Sequence, residues 1–474
     1  MTQPPLTATE LSGSTDLPVY RQIYLRFRRA IEDGRLRPGE RVPSVRALAA
    51  ELNLARGTVE SAYQLLIGEG YLQARGPAGT VVSQLLKPGS PKVASQPPPA
   101  PTLPRLHSGE LPAPLQMGMP ALDAFPRKLW NRLMGRELRD SGLLGLVYPD
   151  ACGYRPLRSA IAGYLGISRG IRCSPEQVFI CAGHAASLDL ICRTLMSPGD
   201  QCWFEDPGYV MARHVLERAG AQLIAVPVDD DGLNVDAALQ RAPDARFAVV
   251  TPSHQSPLGV SLSLARRQAL LDWANRRDSW IIEDDYDSEY RYQGHPLPAL
   301  KSIDSQGRVL YTGTFSKVLA PGLRLSYLVV PEHLIERFTT VADALHNHCP
   351  QLLQATVAAF IRDGHFARHL KKMRSLYARR RALLIEALER ELGQHLQIDA
   401  RAGGMHLLAR LRTPLDDQAI TRNARTLGYS VLALSAACQE VQGQSGLLLG
   451  FTNVTSADVA TEWARGLAGA FDGV

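Results

Sequence analysis

At 474 residues the chain exceeds what one ordinary hydrophobic core organises, so two or more folding units are expected. Its 45 % apolar and 21 % charged residues are those of a globular protein, and no run approaches the ~18–20 apolar residues that span a bilayer, which excludes a membrane partner. The net charge of +6 permits nucleic-acid binding without arguing for it, so that claim needs a motif.

The N-terminal MTQPPLTATE has no basic start followed by an apolar stretch, so no signal peptide is expected. In PVYRQIYLRFRRAIEDGRL, Val19, Ile23, Phe27 and Ile31 recur every four residues and predict one helical face. RPGE makes a turn, and Ser44 is placed to cap a short helix, SVRALAAEL. After a break at Leu52–Leu54, ARGTVESAYQLLIGEG carries Val59, Tyr63 and Leu66 on one face and ends at Gly70. YLQARGPAGTVVS then reads as two short strands around a Gly/Pro turn. Helix, short helix, helix and hairpin make a winged helix-turn-helix over residues 15–83.

In such a module the second helix of the turn enters the major groove of operator DNA from its N-terminal residues, here Ala55, Arg56, Gly57 and Thr58. Arg56 can address guanine or a phosphate, and Thr58 a phosphate or base edge. Arg46 in the preceding helix and Arg75 on the wing are further phosphate or groove candidates. The stretch GERVPSVRALAAELNLARGTVESAYQLLIGEGYLQARGPAGTVVS resembles the GntR-type winged helix, and the resemblance implies operator contacts by Arg46, Arg56 and Thr58. Ala55 departs from it, standing where relatives place a Ser or Thr cap, which costs roughly 1 kcal/mol locally.

Residues 84–114 are proline-rich with little periodic hydrophobicity, a composition that reads as an interdomain linker. From 115 to 474, short apolar runs (QVFICAG, QCWFED, QLIAVPV, RFAVVTPS, SWIIEDD, RVLYTGT, LSYLVV) alternate with helical patterns. That alternation predicts an α/β fold around a mostly parallel sheet, and the chain beyond about 365 reads as a smaller α+β subdomain.

Lys317, in TGTFSKVLAPGLRLSYLVV, stands between a Thr/Ser turn and a strand-like run. A lysine attacks a carbonyl only as the free amine, so it needs a site that depresses its pKa or already holds an aldehyde. Pyridoxal 5′-phosphate supplies the aldehyde; it also needs a carboxylate on its ring nitrogen and donors for its phosphate. SWIIEDDYDSEY offers Asp284 for the nitrogen, with Asp285 the competing choice, and Tyr286 for the phenolate oxygen. Arg324, Thr314 and Ser316 can grip the phosphate, His184 and Ala185 can add backbone N–H groups, and Tyr209 in FEDPGY can stack on the ring.

Residues from about 115 onward resemble fold-type I aminotransferases, and the winged-helix fusion resembles the MocR subfamily of GntR regulators, on YPDACGYRPLRSAIAGYL, EDPGY, TPSHQSPLG, IIEDDYDSEYRY, GTFSKVLAPGLRLSYLVVP and GGMHLL. The resemblance implies Lys317 as the Schiff-base lysine, Asp284 and Tyr286 on the ring, and Arg324 on the phosphate. It also implies a homodimer, commonly head-to-tail, in which Tyr148 reaches the phosphate of the partner's cofactor. Three departures bear on activity. Leu448 in GLLLGF stands where aminotransferases hold the arginine for a substrate carboxylate. GHAAS lacks a side-chain donor of the phosphate cup, and HQSPLG lacks the asparagine that bonds the phenolate.

The expectation is therefore a DNA-binding transcription regulator that carries pyridoxal 5′-phosphate and responds to an amine or amino-acid effector, or to the cofactor itself. A working aminotransferase with a vestigial DNA module, and a DNA-binding scaffold that no longer holds cofactor, are the competing readings. Seven cysteines, odd in number and without C-x-x-C spacing, point to a reducing cytoplasm rather than a disulfide framework or zinc site.

Overall fold

The computed structural model describes residues 17–84, 111–294 and 297–474, so the linker expected at 84–114 lies almost entirely outside the described residues. The chain divides into two compact units, Met1–Gly109 and Glu110–Val474.

The first unit runs α1 (Val19–Glu32), β1 (Arg41–Val42), α2 (Val45–Glu51), α3 (Arg56–Gly68), β2 (Leu72–Ala74) and β3 (Thr80–Val82). Ile23, Phe27 and Ile31 of α1 meet Leu48, Val59, Tyr63 and Leu66 in one core. Val19 does not join them: it is the first helical residue, follows Pro18 and stays exposed. Ser44 caps α2, its Oγ accepting from the Ala47 N–H at 3.1 Å. The α3 helix starts on Ala55 without a side-chain cap. It ends as Gly70, at φ 79°, turns the chain so that the Gly70 and Tyr71 N–H groups bond back to Ile67 and Leu66. The three strands pair antiparallel in the order β1-β3-β2.

The second unit begins with α4 (Arg127–Asp140), α5 (Arg155–Ser168), β4 (Val178–Cys181), α6 (His184–Leu195), β5 (Gln201–Asp206), α7 (Val210–Arg218), β6 (Gln222–Asp229), β7 (Gly232–Leu233) and α8 (Val235–Arg241). It continues through β8 (Phe247–Val250), α9 (Leu264–Arg277), β9 (Trp280–Asp285), β10 (Val309–Thr314), β11 (Ser326–Val329), α10 (Ile335–Ala344), α11 (Gln351–Arg362) and the long α12 (His365–Leu392). These strands form an eight-stranded sheet ordered β4-β11-β10-β9-β8-β5-β6-β7, parallel from β10 across to β6, with β11 antiparallel to both its neighbours. Strands β4, β8, β9, β10 and β11 are buried along their whole length, which explains why the sequence shows unbroken apolar runs there rather than alternation.

The chain closes with β12 (Leu396–Asp399), β13 (His406–Leu411), α13 (Asp417–Thr426), β14 (Leu432–Ala433), β15 (Gly446–Gly450) and α14 (Ala457–Ala468). Its antiparallel sheet is ordered β12-β13-β15-β14. Along β15, Leu447 and Leu449 enter the main core with α12 and α14 residues. Leu448 points the other way, into a separate apolar cluster with Val228, Leu258, Val260, Leu408 and Leu434. Asp206, at the end of β5, ties the two sheets' ends together by accepting the N–H groups of Gln439, Glu440 and Val441 at 2.7, 2.8 and 2.9 Å. Among the described residues no helix is long and apolar enough to cross a membrane, and all seven cysteines are free.

Candidate functional site

The C-terminal ends of the parallel strands are where an open α/β sheet holds a ligand, and the site assembles there. Strand β9 ends in Asp284 and Asp285, which alternate sides. Asp285 is consumed by structure: its carboxylate lies 2.8 Å from the Arg169 guanidinium and accepts the Tyr311 hydroxyl at 2.6 Å. Asp284 faces the other way, toward His184 Nε2 at 3.3 Å, and its charge acts on Lys317. Burial raises the Asp284 carboxyl pKa, against the pull of His184.

Lys317 lies in the turn between β10 and β11. Its amine donates to the Gly118 carbonyl at 2.7 Å and makes no ion pair with a described carboxylate. Burial lowers its pKa, opposed by the charges of Asp287 and Asp284, so the free amine is favoured relative to an exposed lysine. Gly118 has φ 77°, and a Cβ there would stand 2.7 Å from the lysine nitrogen, so only glycine leaves room for this amine.

Arg324 adopts φ 50° and ψ 45°, a left-handed conformation costing an ordinary residue roughly 1–2 kcal/mol. The turn aims its guanidinium at the start of α6, where it donates to the Ala182 carbonyl at 2.8 Å. A Cβ on Gly183, at φ 96°, would stand 2.6 Å from that guanidinium. His184 and Ala185 are the first two residues of the twelve-residue α6, and their N–H groups find no carbonyl within the helix, a cradle suited to an anion. The Thr314 hydroxyl accepts the Ser316 N–H at 3.1 Å and fixes the same turn. Tyr209 caps the start of α7 with its ring 6.3 Å from the His184 ring; burial pushes its hydroxyl up to about 12.

The structure thus links Asp284 to His184, His184 to Tyr209 and Arg324 to the start of α6, with the Asp284 charge acting on Lys317 and Thr314 bonded to Ser316 in the same turn. Tyr286 joins through His254, whose Nδ1 lies 2.9 Å from the Tyr286 hydroxyl and 3.2 Å from Asp287. Tyr148 does not join: it is 92 % exposed and meets only the His348 ring, 6.4 Å away.

Sequence reasoning missed Asp287, the larger of the two charges acting on Lys317, although it stands in the same EDDYD run. It also assigned nothing to His254 and His406. His406 Nε2 donates to the Pro257 carbonyl at 2.9 Å; burial and the neighbouring His254 push it down to about 4, so it is neutral. Glu205 accepts Thr251 N–H and hydroxyl at 3.1 and 2.6 Å and the Gln255 amide at 3.1 Å, setting the loop that carries His254. Neither His406 nor Glu205 announces itself by spacing.

In the first unit Arg46, Arg56, Gly57 and Arg75 are all exposed and Thr58 is half-buried at the start of α3. None of the three arginines is held in an ion pair among the described residues, so each keeps its charge available to a phosphate or a base edge.

A winged helix on one unit and a lysine-bearing aminotransferase-type cleft on the other define a two-module class. Residues 19–82 match the gntR family of bacterial regulatory proteins, and residues 133–443 match the aminotransferase class I and II family. The chain is 38 % identical over 455 residues to the probable rhizopine catabolism regulatory protein MocR of Rhizobium meliloti, covering 94 % of this chain and 92 % of that protein. It is 33 % identical to the HTH-type pyridoxine biosynthesis transcriptional regulator PdxR of Corynebacterium glutamicum, covering 92 % of each. Among solved structures, a Pyrococcus horikoshii kynurenine aminotransferase in complex with PMP superposes with TM-score 0.69 at 28 % identity, over 76 % of this chain and 90 % of that one. The chain belongs to the MocR subfamily of GntR-type transcriptional regulators, in which a winged helix is joined to an aminotransferase-like domain.

Proposed function

We propose that this regulator binds operator DNA as a homodimer and holds pyridoxal 5′-phosphate on Lys317 as its receptor group. One observation carries the reading: a lysine amine in no ion pair among the described residues feels the charge of the buried Asp284, which faces His184 at the open start of α6. The glycines at 118 and 183 leave the space such a group needs. Lys317 would attach the cofactor, Asp284 meet its ring nitrogen, and Tyr286 its phenolate oxygen. Arg324, Thr314, Ser316 and the N–H groups of His184 and Ala185 would hold its phosphate, with Tyr209 against the ring. When bound, the group supplies an electrophilic carbon for which the Lys317 amine and an effector's amine are alternative partners.

Leu448 favours one kind of signal. It is packed in an apolar cluster with Val228, Leu258, Val260, Leu408 and Leu434 and itself offers a carboxylate no charged partner. Amines lacking a carboxylate, or the cofactor itself, suit this cleft better than amino acids, and turnover as an aminotransferase is disfavoured for the same reason. A dimer accounts for the run of exposed apolar side chains Leu138, Leu143, Leu146, Val147 and Tyr148. In a head-to-tail dimer Tyr148 would serve the partner's site. Operator contact falls to Arg56, Gly57 and Thr58 on α3, with Arg46 and Arg75 on the backbone, in the cytoplasm where such DNA lies.

The test is spectroscopic and functional together. Protein loaded with the cofactor should absorb visible light, and borohydride should fix the cofactor's mass on the Lys317 peptide. Promoter footprints should change when the cofactor or an amine is added, and Arg56→Ala should lose the footprint while keeping the colour. A colourless protein with no trapped mass refutes the receptor role, and footprints indifferent to every ligand refute sensing.

A further inference from the structure

A second cleft of about 580 Å³ opens between the end of α5, the loop after β9 and the first turns of α12. That volume falls in the ~300–1,000 Å³ range typical of small-molecule sites. One wall is apolar, built from Ile361, Phe366 and Leu370. The opposite side is polar and incompletely partnered. Arg291 and Arg374 line it and neither makes an ion pair with any described carboxylate. The Arg291 Nε is also buried without a hydrogen-bond acceptor. A third arginine on the same lining, Arg169, is by contrast buried and paired with Asp285 at 2.8 Å. Glu289 also lines the cleft, accepting the Tyr164 hydroxyl at 3.1 Å. Burial and the charge of Asp285 push its carboxyl up to about 7, so its negative charge does not dominate the cleft near neutrality.

We propose that this cleft is a second small-molecule site, taking an amphipathic organic anion with its apolar body on Phe366 and Leu370 and its carboxylate or phosphate on Arg291 and Arg374. A planar guanidinium fork matches either oxyanion, and an apolar wall rewards an aromatic or branched body. The site is independent of the receptor role of Lys317. It is nonetheless wired to that region, because Ser288 and Glu289 follow directly on the strand that ends in Asp284 and Asp285.

Full-length protein saturated with pyridoxal 5′-phosphate, so that the first cleft is filled, is titrated with the fluorescent anion 8-anilinonaphthalene-1-sulfonate and with the neutral N-phenyl-1-naphthylamine. One saturable anion site is expected. Arg291→Gln/Arg374→Gln should weaken the anionic probe by about tenfold or more while leaving the neutral probe unchanged. Ala367→Trp, at an exposed cleft position, should exclude both probes without touching a charge. Displacement by phenyl phosphate or by phenylacetate identifies which head group the arginines prefer. No saturable site in the wild type, unchanged anion affinity in the double variant, or displacement by neither competitor overturns the proposal.

Discussion

Replacing Arg169 by methionine removes the cation paired with Asp285 at the end of β9. The Arg169 and Asp285 side chains are 5 % and 2 % exposed and lie 2.8 Å apart. The same guanidinium donates to the Leu297 carbonyl and the Ser253 hydroxyl, both at 2.6 Å. Burial alone would work against its charge, but the carboxylates of Asp285, Glu283 and Glu289 outweigh that and raise its pKa. Arg169→Met leaves Asp285 charged and buried with one hydroxyl partner, that of Tyr311. Breaking a buried pair from one side costs about 3–5 kcal/mol, most of it the stranded charge. The assay is urea unfolding followed by tryptophan emission. All five tryptophans (Trp130, Trp203, Trp273, Trp280 and Trp463) belong to the second unit, so the signal reports that unit alone. Arg169→Met/Asp285→Leu should regain most of the loss, because it removes the stranded charge too. A loss below about 1 kcal/mol in Arg169→Met would mean that Asp285 is not held as an anion in the folded unit, and the argument would fail.

Further outcomes follow from the same geometry. Glu205 is pushed up to about 7 by burial from an ordinary 4.5, so between those values the folded unit keeps a proton that the unfolded chain has released. Its contribution to stability should therefore fall by about 1.4 kcal/mol per pH unit as pH rises through that window and level off above it. Glu205→Gln should reduce the slope of the tryptophan-detected stability profile between pH 5 and 7 by about 1.4 kcal/mol per unit, the rest belonging to Glu283 and Glu289, and an unchanged slope sinks the assignment. Leu448→Arg buries a charge in an apolar cluster and should lower the melting temperature. If the cleft reading holds, α-amino acids should restore part of that loss in the variant and do nothing for the wild type. Ser44→Ala should cost about 1 kcal/mol at the start of α2, read as faster amide exchange through Val45–Glu51. Exchange unchanged there would show the cap to be idle.

The fold was legible where burial is complete or periodicity long. Five fully buried strands read as apolar runs, and α3 announced both its face and its stop at Gly70. The two-residue strands β1, β7 and β14 were not legible, because they exist only through partners elsewhere in the chain. Register and strand order are likewise long-range facts that spacing does not encode. The site divides in the same way. Lys317, Asp284 and Arg324 stand out because each is a polar residue beside an apolar run, a local anomaly. His254, His406, Glu205 and Gly118 do not, since their roles depend on a carbonyl or hydroxyl supplied by a distant loop.

The hardest sequence ambiguity was also the one most simply resolved in three dimensions. Asp284 and Asp285 are chemically equivalent on paper, and strand alternation says only that they face opposite sides of β9. Arg169, a helix-end residue far away in the chain, pairs with Asp285, while Asp284 faces His184. The same alternation governs Leu448, whose neighbours Leu447 and Leu449 pack on the helices while it alone faces the other way. A substitution at Leu448 therefore falls in that separate cluster and not in the core behind the strand. On the proposed function, that separation would let a fold shared with aminotransferases keep its lysine and its phosphate cradle while losing the grip on an amino-acid substrate.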